Sequence, residues 1–373
     1  MLTRILVLLL ISNIAVGSLG NYVRADTQTT RLIHVGENFP DERLGVPEGN
    51  QDIDYLGLST TNTSFTIREI NADLVLVEIL SIYCITCQMQ APFFNKLYDL
   101  IEADPMTRGR IKIIGIGVGN NQTQVDHFRE EFNIPFPILP DPQMIIHHAV
   151  GGGRTPFTIF VRLGPAAQYG VVARTQLGAH EDYQQLFNDL RALMTLDLAA
   201  IQKRGGATEP EYVTVKPLMP ESELRAKVKE VMEKVKRPIS DFKKLKLQGI
   251  SNVYAATVQR EGEKEHLFAE VISRPPTCDV CHDVHFFYVF DEKGKILQFV
   301  PLQLTKYGNE PWQNKDVEKM RNRLLNESVF SPFTFDPEVD AISSATITSV
   351  IILDSMSRSK NLYQALKKEG LIK

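Results

Sequence analysis

The sequence predicts an α/β fold for its first half and a separate α+β domain for its second, and three observations carry this. The run Leu74–Leu80 is short, almost wholly apolar and rich in Val, Leu and Ile, as a strand covered on both faces is. It leads into Cys84-Ile-Thr-Cys87 and an apolar-periodic helix, and strand and helix patterns keep alternating as far as Leu196. Beyond Pro220 the pattern changes to one amphipathic helix followed by four strand candidates in succession. At 373 residues the chain has room for two or three domains. The boundaries read as 1–25 for a leader, 26–204 for the first domain, 205–220 for a linker and 221–373 for the second domain. The linker is punctuated by Gly205-Gly-Ala-Thr-Glu-Pro210 and Lys216-Pro-Leu-Met-Pro220.

Composition excludes some classes. The net charge is -4 with no basic excess, so nothing favours a nucleic-acid partner. The four cysteines fall in two pairs, Cys84/Cys87 and Cys278/Cys281, whereas a disulfide scaffold would scatter many. At the N-terminus, Met1-Leu-Thr-Arg4 precedes an apolar run over 5–16 that is short for a membrane span, and Val23-Arg-Ala25 offers small residues at cleavage spacing. This is the pattern of a secretory signal peptide, with an uncleaved anchor as the alternative. Either way the folded part is expected outside the cytosol, in a bacterial periplasm. Dithiols there need a redox partner other than the glutathione pool.

Residues 26–72 read as a polar, turn-rich lead-in with short strand candidates at 36–40 and 64–68. After the strand Leu74–Leu80, Cys84 stands where a helix begins. Unpaired N–H groups and the positive end of the dipole there favour thiolate over thiol, and Cys87 sits one turn on, within reach of a disulfide. Phe93, Phe94, Leu97, Leu100 and Ile101 share one helical face. A strand over 111–118, a helix over 124–132, a short strand over 136–141, a strand over 157–162 and an amphipathic helix over 183–196 complete the domain.

The continuation Cys87-Gln-Met-Gln-Ala-Pro92 makes residues 36–198 resemble the thioredoxins, of the extracytoplasmic thiol-disulfide oxidoreductase type. The resemblance implies a thioredoxin fold, with Cys84 attacking a target disulfide, Cys87 resolving the mixed disulfide and Pro92 kinking the helix. It also implies that Pro156, in Gly151-Gly-Gly-Arg-Thr-Pro156, is a cis-proline beside the dithiol that shapes a docking site for an incoming peptide. Peroxiredoxin chemistry is the nearest competitor. It needs a threonine where Ser81 stands and an upstream proline, and none occurs between Pro47 and Cys84.

In the second domain, Leu224, Val228, Val231, Met232 and Val235 share a helix face. Strand candidates follow at 253–258, 266–271, 285–290 and 296–301, the last two flanking Asp291-Glu-Lys-Gly294 as a hairpin. A helix is expected over 316–325. Near the end, Asp340-Ala-Ile-Ser-Ser-Ala-Thr346-Ile-Thr-Ser349 resembles the flavinylation motif of bacterial FMN-binding domains, such as those of the sodium-pumping NADH:quinone oxidoreductase and the Rnf complex. With the preceding hairpin, the resemblance covers residues 222–373. It implies FMN held covalently through a phosphoester on Thr346, a flavin transferase to attach it, and Thr348 as second candidate. The chain departs from the motif at Ser344 and Ala341, where glycine is usual. On physical grounds, Ser343, Ser344 and Ala345 are small enough to let a phosphate approach the backbone, and a helix starting near Thr346 would aim its free N–H groups at it. An N-cap without a ligand is the alternative.

Cys278-Asp-Val-Cys281-His282 supports three readings: a redox dithiol or disulfide, a c-type haem attachment site with His282 as proximal ligand, or a metal site that also uses His285. The expected function is a periplasmic thiol-disulfide oxidoreductase that passes electrons between FMN, Cys278/Cys281 and Cys84/Cys87. Its partner would be a disulfide-bearing periplasmic protein or a membrane redox protein. The alternatives are a haem/flavin electron-transfer protein and a non-catalytic binding or assembly module.

Overall fold

The computed structural model describes residues 28–59, 61–164, 170–205, 209–260, 263–277 and 281–372. The expected leader over 1–25 and Cys278 of the second pair lie outside these residues. The lead-in supplies β1 (Gln28–Arg31), β2 (Leu44–Gly45), α1 (Asn50–Leu56) and β3 (Ser64–Phe65). Then come β4 (Leu74–Leu80), α2 (Ile85–Ala103), β5 (Ile111–Val118), α3 (Gln122–Glu131), β6 (Ile138–Asp141) and α4 (Ile145–Ala149). β7 (Phe157–Leu163), β8 (Gly170–Leu177), α5 (Tyr183–Met194) and α6 (Leu198–Gly205) close the first domain.

These strands form a five-stranded mixed sheet in the order β6-β5-β4-β7-β8. β4 runs parallel to β5, β5 parallel to β6, and β7 antiparallel to both β4 and β8. β4 sits at the centre and every one of its residues is buried. Its pleat sends Leu74, Leu76 and Leu80 into a core with Phe94, Leu97 and Ile101 of α2 and Leu186 and Leu190 of α5. Val75, Val77 and Ile79 face the opposite core. Glu78, in phase with the three leucines, points toward the α2 side by the same alternation. The arrangement is a thioredoxin-like α/β fold. β4 and β5 occupy the expected ranges, while α1, α4, α6 and β8 were not expected: α1, α4 and α6 are too short to display a helical period, and β8 turns half-exposed after its third residue.

The expected linker needs correction, because β9 (Tyr212–Val215) lies inside it and pairs antiparallel with β1, Gln28 opposite Val215. Where the stretch begins, Gly205 approaches Val35 so closely that a Cβ would stand 2.1 Å from its carbonyl oxygen. β9 buries one residue of four, so its order comes from backbone pairing that leaves no apolar pattern.

The second domain comprises α7 (Glu221–Val235), β10 (Ile239–Leu247), β11 (Ile250–Arg260), β12 (Glu263–Arg274), β13 (Val284–Asp291) and β14 (Ile296–Gln303). α8 (Asn314–Leu324), α9 (Pro337–Asp340), α10 (Thr346–Ser357) and α11 (Ser359–Lys368) follow. The five strands form an antiparallel meander in sequence order. α7 lays Val228 and Met232 on one face of it, against Tyr254, Leu267 and Phe287.

The other face is covered by residues of α8, α10 and α11, and α10 has a second role. Val350, Ile351, Ile352, Leu353 and Met356 are all buried, so this helix is apolar nearly all round, as a helix with protein on every side must be. Val350 meets the first domain at Gly119, where φ is +67° and a Cβ would stand 2.5 Å from Val350 Cγ1. One turn on, the Asp354 carboxylate accepts from His148 of α4 at 3.2 Å, from Arg274 of β12 at 3.0 Å and from Arg358. The expectation of a separate second domain therefore holds for its sheet but not for its core. One continuous apolar cluster joins Val118, Met144 and Val150 to Val350, Ile351 and Leu353.

Candidate functional site

Cys84 is the N-cap of α2, and its sulfur accepts from the Cys87 backbone N–H at 3.3 Å. The Cys84 thiol also reaches the Thr155 carbonyl at 3.5 Å. The Thr155–Pro156 peptide bond is cis, and Thr155 and Pro156 are both buried. Cys84 is 0% and Cys87 4% exposed, so the pair is closed off from solvent. Burial first, and the neighbouring Cys84 second, push the Cys87 thiol well above its ordinary value. Cys87 is therefore held as a thiol until its proton is taken.

A proton acceptor lies below the pair. Burial pushes the Glu78 carboxyl up to about 8, against a hydrogen bond from Thr158, and Cys84 adds to the rise. Thr158 Oγ1 donates to Glu78 Oε2 at 2.7 Å and lies 2.8 Å from His180 Nε2. His180 is kept neutral by burial and by Arg174, which lower it to about 4. Its backbone is pinned by Gln90 of α2, whose Oε1 accepts from the His180 N–H at 2.8 Å and whose Nε2 donates to the His180 carbonyl at 3.0 Å. Sequence reasoning missed Glu78. The signal was there: a lone acid in an otherwise apolar strand, in phase with Leu76 and Leu80.

The second domain closes the site. Thr155 donates its backbone N–H and its hydroxyl to the carbonyl of Thr277, each at 2.6 Å. Thr277 belongs to the loop between β12 and β13, which carries the second cysteine pair. Cys281 of that loop lines a cavity of about 350 Å³ together with Tyr83, Ile85 and Gln88 from the dithiol turn. Thr305, Lys306, Tyr307 and the stretch Ser344, Ala345, Thr346, Ile347, Thr348 complete the wall.

The flavin candidates are not equivalent here. Thr346 opens α10, is half-buried and faces the cavity, and the helix has no side-chain cap. Its first-turn N–H groups form the anion-attracting end of the dipole. Thr348 also lines the cavity, but its hydroxyl is committed to the Thr305 carbonyl at 2.9 Å. Ser344 lines it too, with φ +59°, the backbone region in which glycine is at ease, which gives the physical reason for the motif's usual glycine. Ser343 is exposed and lies outside the cavity wall. The volume falls in the range of small-ligand sites, about 300–1,000 Å³. Lys306, although paired with Asp316 at 2.7 Å, adds positive charge. These residues fit a phosphate-bearing group of small-ligand size.

In the second pair's neighbourhood, His282 is exposed, and His285 is buried with Nδ1 2.9 Å from Ser273 Oγ. Among the described residues no group of three or more His, Cys, Asp or Glu is placed to hold a metal, and no helix is long and apolar enough to cross a membrane.

Sheet order, dithiol turn and cis-proline together define a thioredoxin-like domain with a redox-type cysteine pair at the end of its central strand. Comparison with known proteins agrees on the class. The AhpC/TSA antioxidant enzyme family matches residues 96–263, a range that begins after the dithiol and runs into β12. The chain is similar to the thiol-disulfide oxidoreductase ResA of Geobacillus thermodenitrificans, 26% identical over 124 residues, which is 33% of this chain and 68% of that one. ResA of Halalkalibacterium halodurans is 23% identical over 141 residues, 38% of this chain and 74% of its own. Among solved structures, StoA from Bacillus subtilis is similar at 16% identity, covering 35% of this chain and 90% of its own with a TM-score of 0.28. A secreted Mycobacterium tuberculosis disulfide oxidoreductase stands at 16% identity, 35% and 90% coverage and a TM-score of 0.29.

Proposed function

We propose that this protein is a thiol-disulfide oxidoreductase acting outside the cytosol, with its Cys84/Cys87 dithiol coupled to an FMN carried on Thr346. The observation that carries the reading is a shared wall: Tyr83, Ile85 and Gln88 of the dithiol turn line the same cavity as Thr346. The relatives named thiol-disulfide oxidoreductases support the first half of the reading.

In the forward sense, Cys84 thiolate attacks one sulfur of a target disulfide. A Cys84–target bond forms, the target disulfide breaks and the leaving sulfur departs as thiolate. Cys87 then gives its proton to Glu78 and attacks Cys84 Sγ, releasing the second target thiolate and leaving a Cys84–Cys87 disulfide. Two electrons have passed to the target. Thr158, itself bonded to His180, holds the Glu78 carboxyl in place, and its hydroxyl can donate to the carboxylate or accept from the carboxylic acid. FMN, when bound, supplies a centre that exchanges two electrons together or one at a time. Thr346 would carry its phosphate, with the first-turn N–H groups of α10 and Lys306 around it. A flavin transferase would attach it, and a disulfide-bearing or membrane redox protein would be the outer partner.

The test is a redox titration of the full chain in dithiothreitol buffers, read by alkylation and mass spectrometry. A Cys84–Cys87 disulfide should appear and disappear in one two-electron step that Cys84→Ser removes. Absence of that disulfide across the whole series overturns the oxidoreductase reading.

A further inference from the structure

A second cavity, of about 670 Å³, opens between the two domains, within the size range of small-ligand sites, about 300–1,000 Å³. The first domain contributes His147 and His148 of α4 and the glycine run 151–153. The second contributes Glu270, Ile272 and Arg274, which alternate onto one face of β12. Arg358, where α10 meets α11, and Leu362 of α11 complete that side. Among the described residues this cavity shares no lining residue with the one at Thr346, so it is separate from the site given to the flavin.

The charges here do not balance. Arg274 Nη1 donates to Asp354 Oδ2 at 3.0 Å and to Ser355 Oγ at 3.2 Å, and Arg358 Nη2 donates to the same Asp354 oxygen. These bonds take up one nitrogen of each arginine, and a guanidinium has five N–H donors. Two permanent cations thus share one carboxylate. Against the burial that raises it, His148 and the two arginines hold Asp354 well below the usual carboxylate range, so it cancels one of them. Burial pushes Glu270 up to about 7, against a hydrogen bond from the Tyr288 hydroxyl, so near neutral pH it offers only part of a charge. Burial, and then Arg274, lower Arg358, as befits a cation short of a counter-charge.

His147 adds a second, independent observation. It is 3% exposed, and its Nε2 lies 3.0 Å from the Gly153 carbonyl, which can only accept, so Nε2 carries the proton. Burial first, and His148 next, lower the ring to about 3, which leaves it neutral with Nδ1 as a bare acceptor. Among the described residues Nδ1 has no hydrogen-bond partner. Its ring centroid is 5.7 Å from that of His148, whose Nε2 lies 3.2 Å from Asp354, so the orphaned acceptor adjoins the arginine cluster. The wall beside it is preformed. The N–H groups of Gly151 and Gly152 are bonded to the carbonyls of His148 and His147 at 3.0 and 2.7 Å. A Cβ on Gly152 would meet only His147 Cε1, at 3.8 Å, so the loop leaves open space on that side.

We infer that this cavity binds a small organic anion, a carboxylate or a phosphate ester, whose charged end pairs with Arg274 and Arg358 and which brings a hydrogen-bond donor to His147 Nδ1. The guanidinium fork matches the oxygens of both headgroups. Ile250, Ile272 and Leu362 give apolar wall to the body of the molecule.

The test is calorimetric titration of the full chain at fixed ionic strength with 4-hydroxybenzoate and with phenyl phosphate, and with neutral 4-hydroxybenzamide as control. At least one anion should bind saturably at a single site, and the amide about tenfold or more weakly. Arg358→Gln should weaken that anion about tenfold or more, and Arg358→Lys by less, because an ammonium keeps the charge and loses the fork. Arg274→Gln should act in the same direction. Since it also unties β12 from Asp354, the more exposed Arg358 is the variant that keeps the test sound if Arg274→Gln fails to fold, and circular dichroism melts show which is folded. Thr346→Glu, which sets a negative charge in the other cavity, should leave the affinity as it is. Absence of binding by both anions, an amide that binds as well as they do, or wild-type affinity in folded Arg358→Gln overturns the inference. So does a loss of affinity in Thr346→Glu alone, which would place the anion in the other cavity.

Discussion

Thr158 Oγ1 donates to Glu78 Oε2 at 2.7 Å, a neutral hydroxyl serving as the hydrogen-bond partner of an acid buried under the dithiol. The acid is raised to about 8 by burial, so the folded protein holds a proton that the unfolded chain releases at ordinary carboxylate pH. Its contribution to stability is thus fully present below the unfolded value and is lost as pH rises toward about 8. Glu78→Gln should remove that slope. Relative to wild type the variant gains stability from about pH 4.5 upward, on the order of a few kcal/mol by pH 8, as urea melts across pH would show. It should also lack the rise in exchange rate expected of wild type near pH 8, where ionised Glu78 would take the Cys87 proton.

Thr346→Ala should abolish the FMN adduct in the intact mass of protein made with a flavin transferase, while Thr348→Ala should keep it. The Thr348 hydroxyl is spent on the Thr305 carbonyl, which Trp312 Nε1 also reaches at 3.2 Å. Its loss should therefore cost only about 1 kcal/mol in stability. An adduct surviving in Thr346→Ala would remove the acceptor assignment.

Ser344 pays for a left-handed backbone with φ +59° while its side chain is exposed. Ser344→Gly should stabilise the chain by roughly 0.5–1 kcal/mol, the relief of strain exceeding the added freedom of the unfolded state. Thermal melts check this, and a destabilised variant would show that the serine side chain makes a contact worth more than the strain.

Gly119→Ala should be costly, about 2–4 kcal/mol, since it combines a φ of +67° with a Cβ driven onto Val350 Cγ1. The double variant Gly119→Ala/Val350→Ala should recover the overlap part and keep the backbone part. A double-mutant cycle with no coupling would mean that α10 is not packed on the first domain there.

Most of the central machinery was legible in the chain. Strands Leu74–Leu80 and Ile111–Val118 declare themselves because strands buried on both faces carry continuous apolar runs; Cys84 and Cys87 follow the first of them closely, while Pro156, just ahead of Phe157–Leu163, was legible only through the resemblance. Glu78 was legible in principle, through its phase on β4. The meander was readable from β11 onward, but β10 was not, as only one of its nine residues is buried. The apolar run in α10 shows a buried helix and says nothing of which two bodies bury it.

By itself the sequence determined the local grammar: which stretch is strand, where the thiols sit on their helix, and that Thr346 opens another. Those follow from periodicity and end effects over a few residues. Only the tertiary structure decided that Thr277 lies on Thr155, that Thr346 and Ile85 share a wall, and that Thr348 is already engaged. Each of these joins segments more than forty residues apart, and no spacing rule reaches that far; it takes two packed sheets with α10 wedged between them to bring the groups together.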